Sequence, residues 1–239
     1  MRLQPNLRSA TVALSACFLI AGCATQGATE ATIATDELMT HDGLYPVSNS
    51  RADAAWARPD MDISAYSKIM LQGVGVQYRP GGAKRSSRAT TRSQYYEVTP
   101  DQKKRFEKVL AEKFREELAK STQFTIVSEP GPDVLLIKGG LIDVVSYVPP
   151  DQPGRHEIFL DKIGEATLVL EISDSVSDAV IARVVDRRAA EEVKDGFQRS
   201  NRATNTAEVR RLAGIWGRIL REQLDHYAAK SPAIAESTE

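Results

Sequence analysis

The sequence lacks an excess of charge of either sign, and its N-terminal apolar run is too short to cross a membrane. It has 31 basic and 32 acidic residues among 239, a net charge of −1, so its overall charge does not favour binding to nucleic acid. The uncharged stretch from Ala10 to Gly22 would reach only about 20 Å as a helix, whereas the hydrocarbon core of a bilayer is about 30 Å thick. A transmembrane helix is therefore a poor interpretation of that stretch.

The N-terminal segment has the pattern of a secretory signal peptide instead. Arg2 and Arg8 precede the apolar stretch and small residues follow it, which is the order that signal peptides show. Ile20-Ala21-Gly22-Cys23 is similar to the lipobox of bacterial lipoproteins. This similarity implies cleavage before Cys23 and acylation of its thiol and its new amino group. Three acyl chains would anchor the protein firmly, because a single chain binds a membrane only marginally.

The expected cleavage site divides the chain and predicts its location. We expect a lipoprotein signal peptide over residues 1–22, a flexible tether over 23–40, a single globular domain over 41–229 and a disordered tail over 230–239. Cys17 would leave with the signal, so Cys23 would have no partner for an intramolecular disulfide. Ala24 follows Cys23, and in enteric-type lipoproteins a residue other than aspartate there directs the protein to the outer membrane. The expected location is therefore the periplasmic face of the outer membrane, with the lipid on Cys23 as the anchor.

Hydrophobic periodicity predicts an α+β domain. The predicted strands are Tyr66–Tyr78 with a bulge at Gly73, Phe124–Val127, Asp133–Val148, and the segments GEATLVLEIS and AVIARVVDRR, which read as an antiparallel hairpin. The order strand, helix, four strands, helix fits an α/β sandwich. This fold would have a mixed, mostly antiparallel sheet of about five strands with two helices packed on one face.

The two helices carry sequence signals at their ends. Thr99 and Gln102 have the spacing of a capping box for a first helix that should end near Ser121. Asn205 is the expected N-cap of the last helix, on whose apolar stripe Trp216 should be buried. The segment from His41 to Asp62 contains many turn residues and is predicted to be an irregular arm lying on the domain.

Four segments carry a family resemblance. They are Glu129-Pro130-Gly131-Pro132-Asp133, Gly164-Glu165-Ala166, Asp186-Arg187-Arg188 and the final helix with its tryptophan. Together they resemble the bacterial lipoproteins grouped as domain of unknown function 3313, over roughly Gly43 to Tyr227. The resemblance implies a secreted, lipid-anchored α/β domain and brings no activity with it. The basic segment that begins at Arg79 departs from the family pattern.

The residues predict no catalytic site, metal site or cofactor site. His41, His156 and His226 lie in the arm, in a loop and in the last helix, without the context of a catalytic triad, and G-x-S-x-G does not occur. Asp174 and Asp178 flank a turn, and their spacing does not match a calcium loop. We therefore expect a non-enzymatic binding or scaffold protein without catalytic residues, metal or cofactor. An enzyme that acts on a cell-envelope component through an unrecognised site is the alternative.

Two charged segments are candidate binding sites. The first is a basic loop with no acidic residue in it, containing Arg79, Lys84, Arg85, Arg88 and Arg92. It could hold an anionic polymer or anionic lipid headgroups, or it could be an ordinary solvated loop. The second is Asp186-Arg187-Arg188 at the end of a strand, where an arginine could bind the carboxylate of an envelope protein partner. An ion pair within the chain is an equally good interpretation of this triplet.

Overall fold

The computed structural model describes residues 32–33, 39–60, 62–80, 95–149, 157–191 and 197–230. The elements are β1 Thr32–Ile33, β2 Tyr45–Ser48, β3 Ala54–Ala57, β4 Lys68–Tyr78, α1 Pro100–Leu118, β5 Thr125–Val127, β6 Val134–Ser146, β7 Ile158–Leu160, β8 Lys162–Asp174, β9 Val180–Glu191, β10 Gln198–Ser200 and α2 Arg202–Lys230. Several predicted features lie outside the described residues: the signal peptide, Cys23, Lys84, Arg85, Arg88, Arg92 and residues 231–239 of the tail. Lys230, the first residue of the predicted tail, is the last residue of α2. Within those ranges, no helix is both long and apolar enough to cross a membrane.

The strands form one mixed sheet in the order β1-β2-β3-β9-β8-β6-β4-β5. Neighbours are antiparallel, except that β4 runs parallel to both β5 and β6. The strand β1 contributes two residues at one edge, paired with Ser48 and Val47 of β2, and the other seven strands form the body of the sheet. A mixed α+β sheet with two helices is thus confirmed, whereas the prediction of about five strands is too low. The strands β7 and β10 form a separate antiparallel pair.

The additional strands in the body of the sheet come from the segment that was predicted to be an irregular arm. In this segment β2 pairs with β3, and β3 pairs with β9 from Ala54↔Val185 to Ala57↔Ala182. The arm prediction is therefore wrong for these residues. The sequence AAWA lacks the alternation of apolar and polar residues that indicates a strand. Its strand conformation depends on the edge of β9, which the local sequence does not reveal.

Both helices begin at capping residues, but only the first at the predicted one. At the start of α1 the Gln102 N–H donates to Thr99 Oγ1 at 3.3 Å, and the Thr99 N–H donates to Gln102 Oε1 at 2.8 Å. This capping box is confirmed, although α1 ends at Leu118. At α2 the backbone N–H groups of Ala203 and Thr204 donate to Asn201 Oδ1, so the prediction of Asn205 as the cap is wrong. Asparagine is a favoured N-cap residue at either position. Because β10 ends at Ser200 and α2 begins at Arg202, Asn201 occupies the cap position and Asn205 lies within the first turn of the helix.

The predicted bulge in β4 is confirmed as a register shift between Gly73 and Gly75 against β6. Gly75 has φ +105°, a left-handed conformation that favours glycine. A bulge at Gly73 predicts that Val74, Val76 and Tyr78 share the inward face of the strand. Val74 is instead the extra residue and is 64% exposed, so this prediction is wrong for Val74. The bulge turns it outward, whereas Val76 and Tyr78 pack against the core.

The sheet and the two helices contribute to one hydrophobic core. The alternation of apolar and polar residues in GEATLVLEIS predicts that every second residue of β8 is buried, and these residues are buried: Ala166, Leu168, Leu170 and Ile172. The hairpin of β8 and β9 is confirmed by their antiparallel register. Leu118 of α1 and Leu212, Trp216, Leu220 and Leu224 of α2 belong to the same cluster of buried residues. The odd-numbered residues of the regular stretch from Glu165 to Glu171 therefore point to the opposite face of the sheet.

Candidate functional site

Five charged side chains meet on the face of the sheet opposite the buried residues of β8. We call them the outer-face cluster: Arg79, Asp143, Lys162, Glu165 and Arg187. Arg79 follows β4, Asp143 lies in β6, Lys162 and Glu165 in β8, and Arg187 in β9. Since β4, β6, β8 and β9 are successive neighbours in the sheet, the fold brings together residues that are far apart in the sequence.

Arg187 joins the two carboxylates of the outer-face cluster. Its Nη1 donates to Asp143 Oδ2 at 2.6 Å, and its Nη2 donates to Glu165 Oε2 at 2.7 Å. Arg79 donates to both oxygens of Asp143, from Nε at 2.6 Å and also from Nη2. Lys162 Nζ and the Tyr147 hydroxyl both donate to Glu165 Oε1. Each carboxylate therefore has several cationic or hydroxyl donors.

These donors hold both carboxylates ionised. Hydrogen bonds from Arg79 and then Arg187 lower the pKa of Asp143 to about 2. Burial raises the pKa of Glu165, but hydrogen bonds from Lys162 and Arg187 outweigh burial, and the net effect lowers this pKa to about 2. A group that acts as a general acid must hold its proton near the working pH. The arrangement of the outer-face cluster therefore suits ion pairing and surface recognition better than proton transfer.

The backbone of β6 is irregular where it contributes to this cluster. Asp143 has a positive φ of 54°, and the register of β6 against β8 shifts between Ile142 and Val145. Bulges of this kind change the direction of a side chain, and aspartate tolerates the left-handed region better than most residues. Sequence reasoning missed Asp143 as a site residue. The available signal was an acidic residue inside the apolar run LIDVV.

We expect the outer-face cluster to make folding stability sensitive to acid. The folded-state pKa values of Asp143 and Glu165, both about 2, lie below their ordinary values of 3.8 and 4.5. The stabilisation is therefore complete above about pH 5 and is lost as the pH falls toward about 2. Melting temperatures measured across this range should fall less steeply for Asp143→Asn than for the unchanged chain. Identical slopes for the two proteins would contradict the ionised state of Asp143.

A second cluster surrounds the carboxylate of Asp186, which is only 4% exposed. Trp216 Nε1 of α2 donates to Asp186 Oδ2 at 2.7 Å, and Arg188 Nε donates to the same oxygen at 2.5 Å. The backbone N–H of Asp53 donates to Asp186 Oδ1 at 3.3 Å. These contacts, which we call the buried carboxylate cluster, link α2, β9 and the residue before β3.

The three residues of the predicted triplet Asp186-Arg187-Arg188 lie in two different clusters. Asp186 and Arg188 belong to the buried carboxylate cluster, whereas Arg187 belongs to the outer-face cluster. All three form ion pairs or hydrogen bonds within the chain, as in the intrachain interpretation. Arg79, from the other predicted site, shares the carboxylate of Asp143 with Arg187, so the two predicted segments meet at this point.

Comparison with known proteins identifies a family for this chain. The family model described as "Protein of unknown function (DUF3313)" matches residues 34–220. No curated protein matches the chain. Within the described residues, no three His, Cys, Asp or Glu side chains are grouped so that they could hold a metal ion.

Several solved structures are similar to the chain at low identity. Protein XCC0632 from Xanthomonas campestris, of the DUF330 family model, is 11% identical, with 73% of this chain and 91% of that chain covered and a TM-score of 0.43. The PelC dodecamer from Paraburkholderia phytofirmans is 12% identical, with 69% and 96% covered and a TM-score of 0.35. A neuraminyllactose-binding hemagglutinin homolog from Helicobacter pylori is 11% identical, with 68% and 88% covered and a TM-score of 0.36. At these values the similarities carry no conclusion about function.

Proposed function

The chain belongs to the DUF3313 family, and we propose that it is a lipid-anchored envelope lipoprotein that faces the periplasm and acts by binding rather than by catalysis. The observation that carries the proposal is the sequence Ile20-Ala21-Gly22-Cys23 after a basic start and an apolar stretch. Ala24, rather than aspartate, supports the outer membrane as its location. The anchor would keep the domain close to the membrane surface, because the tether that joins them is short.

Replacing Cys23 by alanine should abolish lipidation and release the protein from the outer membrane. The thiol of Cys23 is the proposed acylation site, and membrane attachment depends on the acyl chains. The measurement is incorporation of labelled palmitate, followed by fractionation of the envelope. Cys17→Ala is the matched control, because it removes the other cysteine of the same segment and should leave both labelling and location unchanged. Palmitate on the Cys23→Ala protein would refute the anchor.

The two faces of the sheet support a binding role. We infer that both helices cover the face that carries Leu168 and Leu170, which leaves the outer-face cluster on the other face. The carboxylates of Asp143 and Glu165 have pKa values of about 2, so they would present fixed negative charge beside Arg79 and Arg187. A surface of fixed, paired charges is suited to orienting a partner by electrostatic complementarity.

The basic loop is the proposed contact with an anionic envelope polymer. Arg79 is bound to Asp143, and this ion pair holds the first cation of the loop on the outer face of the sheet, beside Arg187. An anionic polymer that reached the loop would therefore also meet the outer-face cluster. An envelope protein with an acidic surface is the other partner that this charge distribution supports.

Changing Lys84, Arg85 and Arg88 to serine should weaken binding to purified anionic cell-wall polymer at low salt. Each cation close to a charged surface contributes up to about 1 kcal/mol, and screening at about 1 M salt should remove most of the difference. Co-sedimentation of the polymer with the full chain in neutral vesicles measures the effect. The control is Lys104, Arg105 and Lys108 to serine, which removes the same charge from α1. Equal binding by both triple variants would mean that the loop is an ordinary solvated surface.

A further inference from the structure

An apolar cavity of about 130 Å³ lies between α2 and the sheet. Trp216, Leu220 and Leu224 line it from α2, and Leu168, Leu170 and Ala182 line it from the sheet. Asp186 also borders it, but three hydrogen bonds from Trp216, Arg188 and Asp53 already occupy its carboxylate. The cavity therefore offers mainly hydrocarbon surface to anything inside it.

The cavity arises because small residues face each other where a core usually has large ones. Ala57 of β3 is the direct register partner of Ala182 of β9, and both are buried lining residues. Ala55 of β3 also lines the cavity. Protein interiors are normally packed as densely as organic crystals, so two facing alanines under a helix leave space that their own side chains cannot fill.

The size and the ends of the cavity indicate what could occupy it. An engineered apolar cavity of roughly 150 Å³ stays dry and binds benzene, so a volume of about 130 Å³ can hold an apolar group of similar size. The polar lining residues Ser50, Arg51, Arg183 and Gln223 are exposed or half-buried. Arg183 already pairs with Asp42 and Glu171, so the exposure of the other three indicates an opening beside them. Arg51 Nη1 forms an ion pair with Glu222 Oε2 at 2.8 Å, with side chains 50% and 37% exposed.

We propose that this cavity binds the end of the alkyl chain of an anionic amphiphile, with the headgroup beside Arg51. The apolar walls select hydrocarbon, and Arg51 at the opening supplies a cation for a carboxylate or a phosphate. An exposed ion pair such as Arg51–Glu222 contributes little to stability, so an anionic headgroup can replace Glu222 as the partner of Arg51. The inference rests on the proposed binding role, for which it names a ligand class.

Quenching of tryptophan fluorescence tests the cavity directly. Trp216 lies in its wall, and Trp56, the other tryptophan of the chain, belongs to β3, which forms another wall. The full chain is reconstituted in phosphatidylcholine vesicles and titrated with decanoic acid brominated at its terminal carbon. We expect saturable quenching by this probe, because the bromine would lie against the tryptophan in the wall. Quenching that rises linearly without saturation would overturn the proposal.

Filling the cavity provides the decisive comparison. Ala182→Leu should weaken the apparent affinity for the brominated decanoic acid by roughly tenfold or more. The leucine would exclude part of the alkyl chain from the cavity, and loss of burial of two methylene groups already weakens binding by about a factor of ten. Ala229→Leu is the matched control on the exposed end of α2 and should behave as the unchanged chain. Circular dichroism checks folding, and Ala57→Val replaces Ala182→Leu if the latter does not fold. Equal affinities for the filled variant and the control would overturn the proposal.

Further probes test the contact between the headgroup and Arg51 and identify whether the bound alkyl chain belongs to a membrane lipid or to a free fatty acid. Arg51→Gln should weaken binding of the brominated acid by roughly two- to fivefold. The same substitution should leave binding of the corresponding brominated alcohol unchanged, because the alcohol carries no charge. An equal effect on both probes would overturn the role of Arg51. Brominated phospholipid in the vesicles should quench if the ligand is a membrane lipid, whereas quenching by the added acid alone indicates a free fatty acid. Failure of palmitate labelling at Cys23 would overturn the anchor without affecting these results.

Discussion

Trp216→Ala should lower the free energy of unfolding by about 3–5 kcal/mol. Trp216 is only 3% exposed and belongs to the hydrophobic core that α2 shares with the sheet. The substitution removes the apolar contacts of the indole ring and enlarges the neighbouring cavity. It also removes the Nε1–H donor that binds Asp186 Oδ2 at 2.7 Å, so a buried carboxylate loses one of its partners.

Urea denaturation followed by circular dichroism measures this effect. Trp216→Phe keeps much of the apolar volume but loses the donor, and its expected destabilisation is about 1–3 kcal/mol. Trp56→Ala is the matched control, because the same substitution is then made at a half-buried position of β3 and should cost less than Trp216→Ala. Equal destabilisation by both tryptophan-to-alanine changes would contradict the central position of Trp216.

Asp186→Ala should destabilise the fold by about 3 kcal/mol, near the lower end of the range for breaking a buried ion pair. The substitution leaves Trp216 Nε1 buried without its acceptor and removes the acceptor of Arg188 and of the Asp53 N–H. The side chain of Arg188 is 33% exposed, so water can partly replace its lost partner, which places the expected value at the lower end.

Asp186→Asn separates the hydrogen bonds from the charge. An asparagine oxygen can still accept from Trp216, so this variant should lose only about 1–2 kcal/mol. Combining Asp186→Ala, which removes the acceptor, with Trp216→Phe, which removes the donor, forms a double-mutant cycle measured by urea denaturation. Residues in direct contact typically couple by 0.5–3 kcal/mol, whereas independent sites add within about 0.5 kcal/mol. Additive effects would show that the observed hydrogen bond contributes nothing to stability.

Several features follow from the sequence because each depends on residues a few positions apart. The capping box of α1 joins Thr99 to Gln102, and the buried face of β8 follows from strict alternation between Ala166 and Ile172. The burial of Trp216 follows from the apolar stripe of α2. The proposal of a lipid anchor rests on sequence alone, because Cys23 lies outside the described residues. Hydrophobic period and capping chemistry are local properties, so no knowledge of distant residues is needed to interpret them.

The tertiary structure decided the features that depend on distant partners. The segment AAWA becomes β3 because it meets the edge of β9, and the same pairing places Ala57 against Ala182 to form the cavity. In the outer-face cluster, Asp143 is 64 residues from Arg79 and 44 residues from Arg187. The sequence alone does not predict that two arginines from separate charged segments share that carboxylate. Such contacts are set by the order of the strands in the sheet, which arises from the combined packing of all elements rather than from any local pattern.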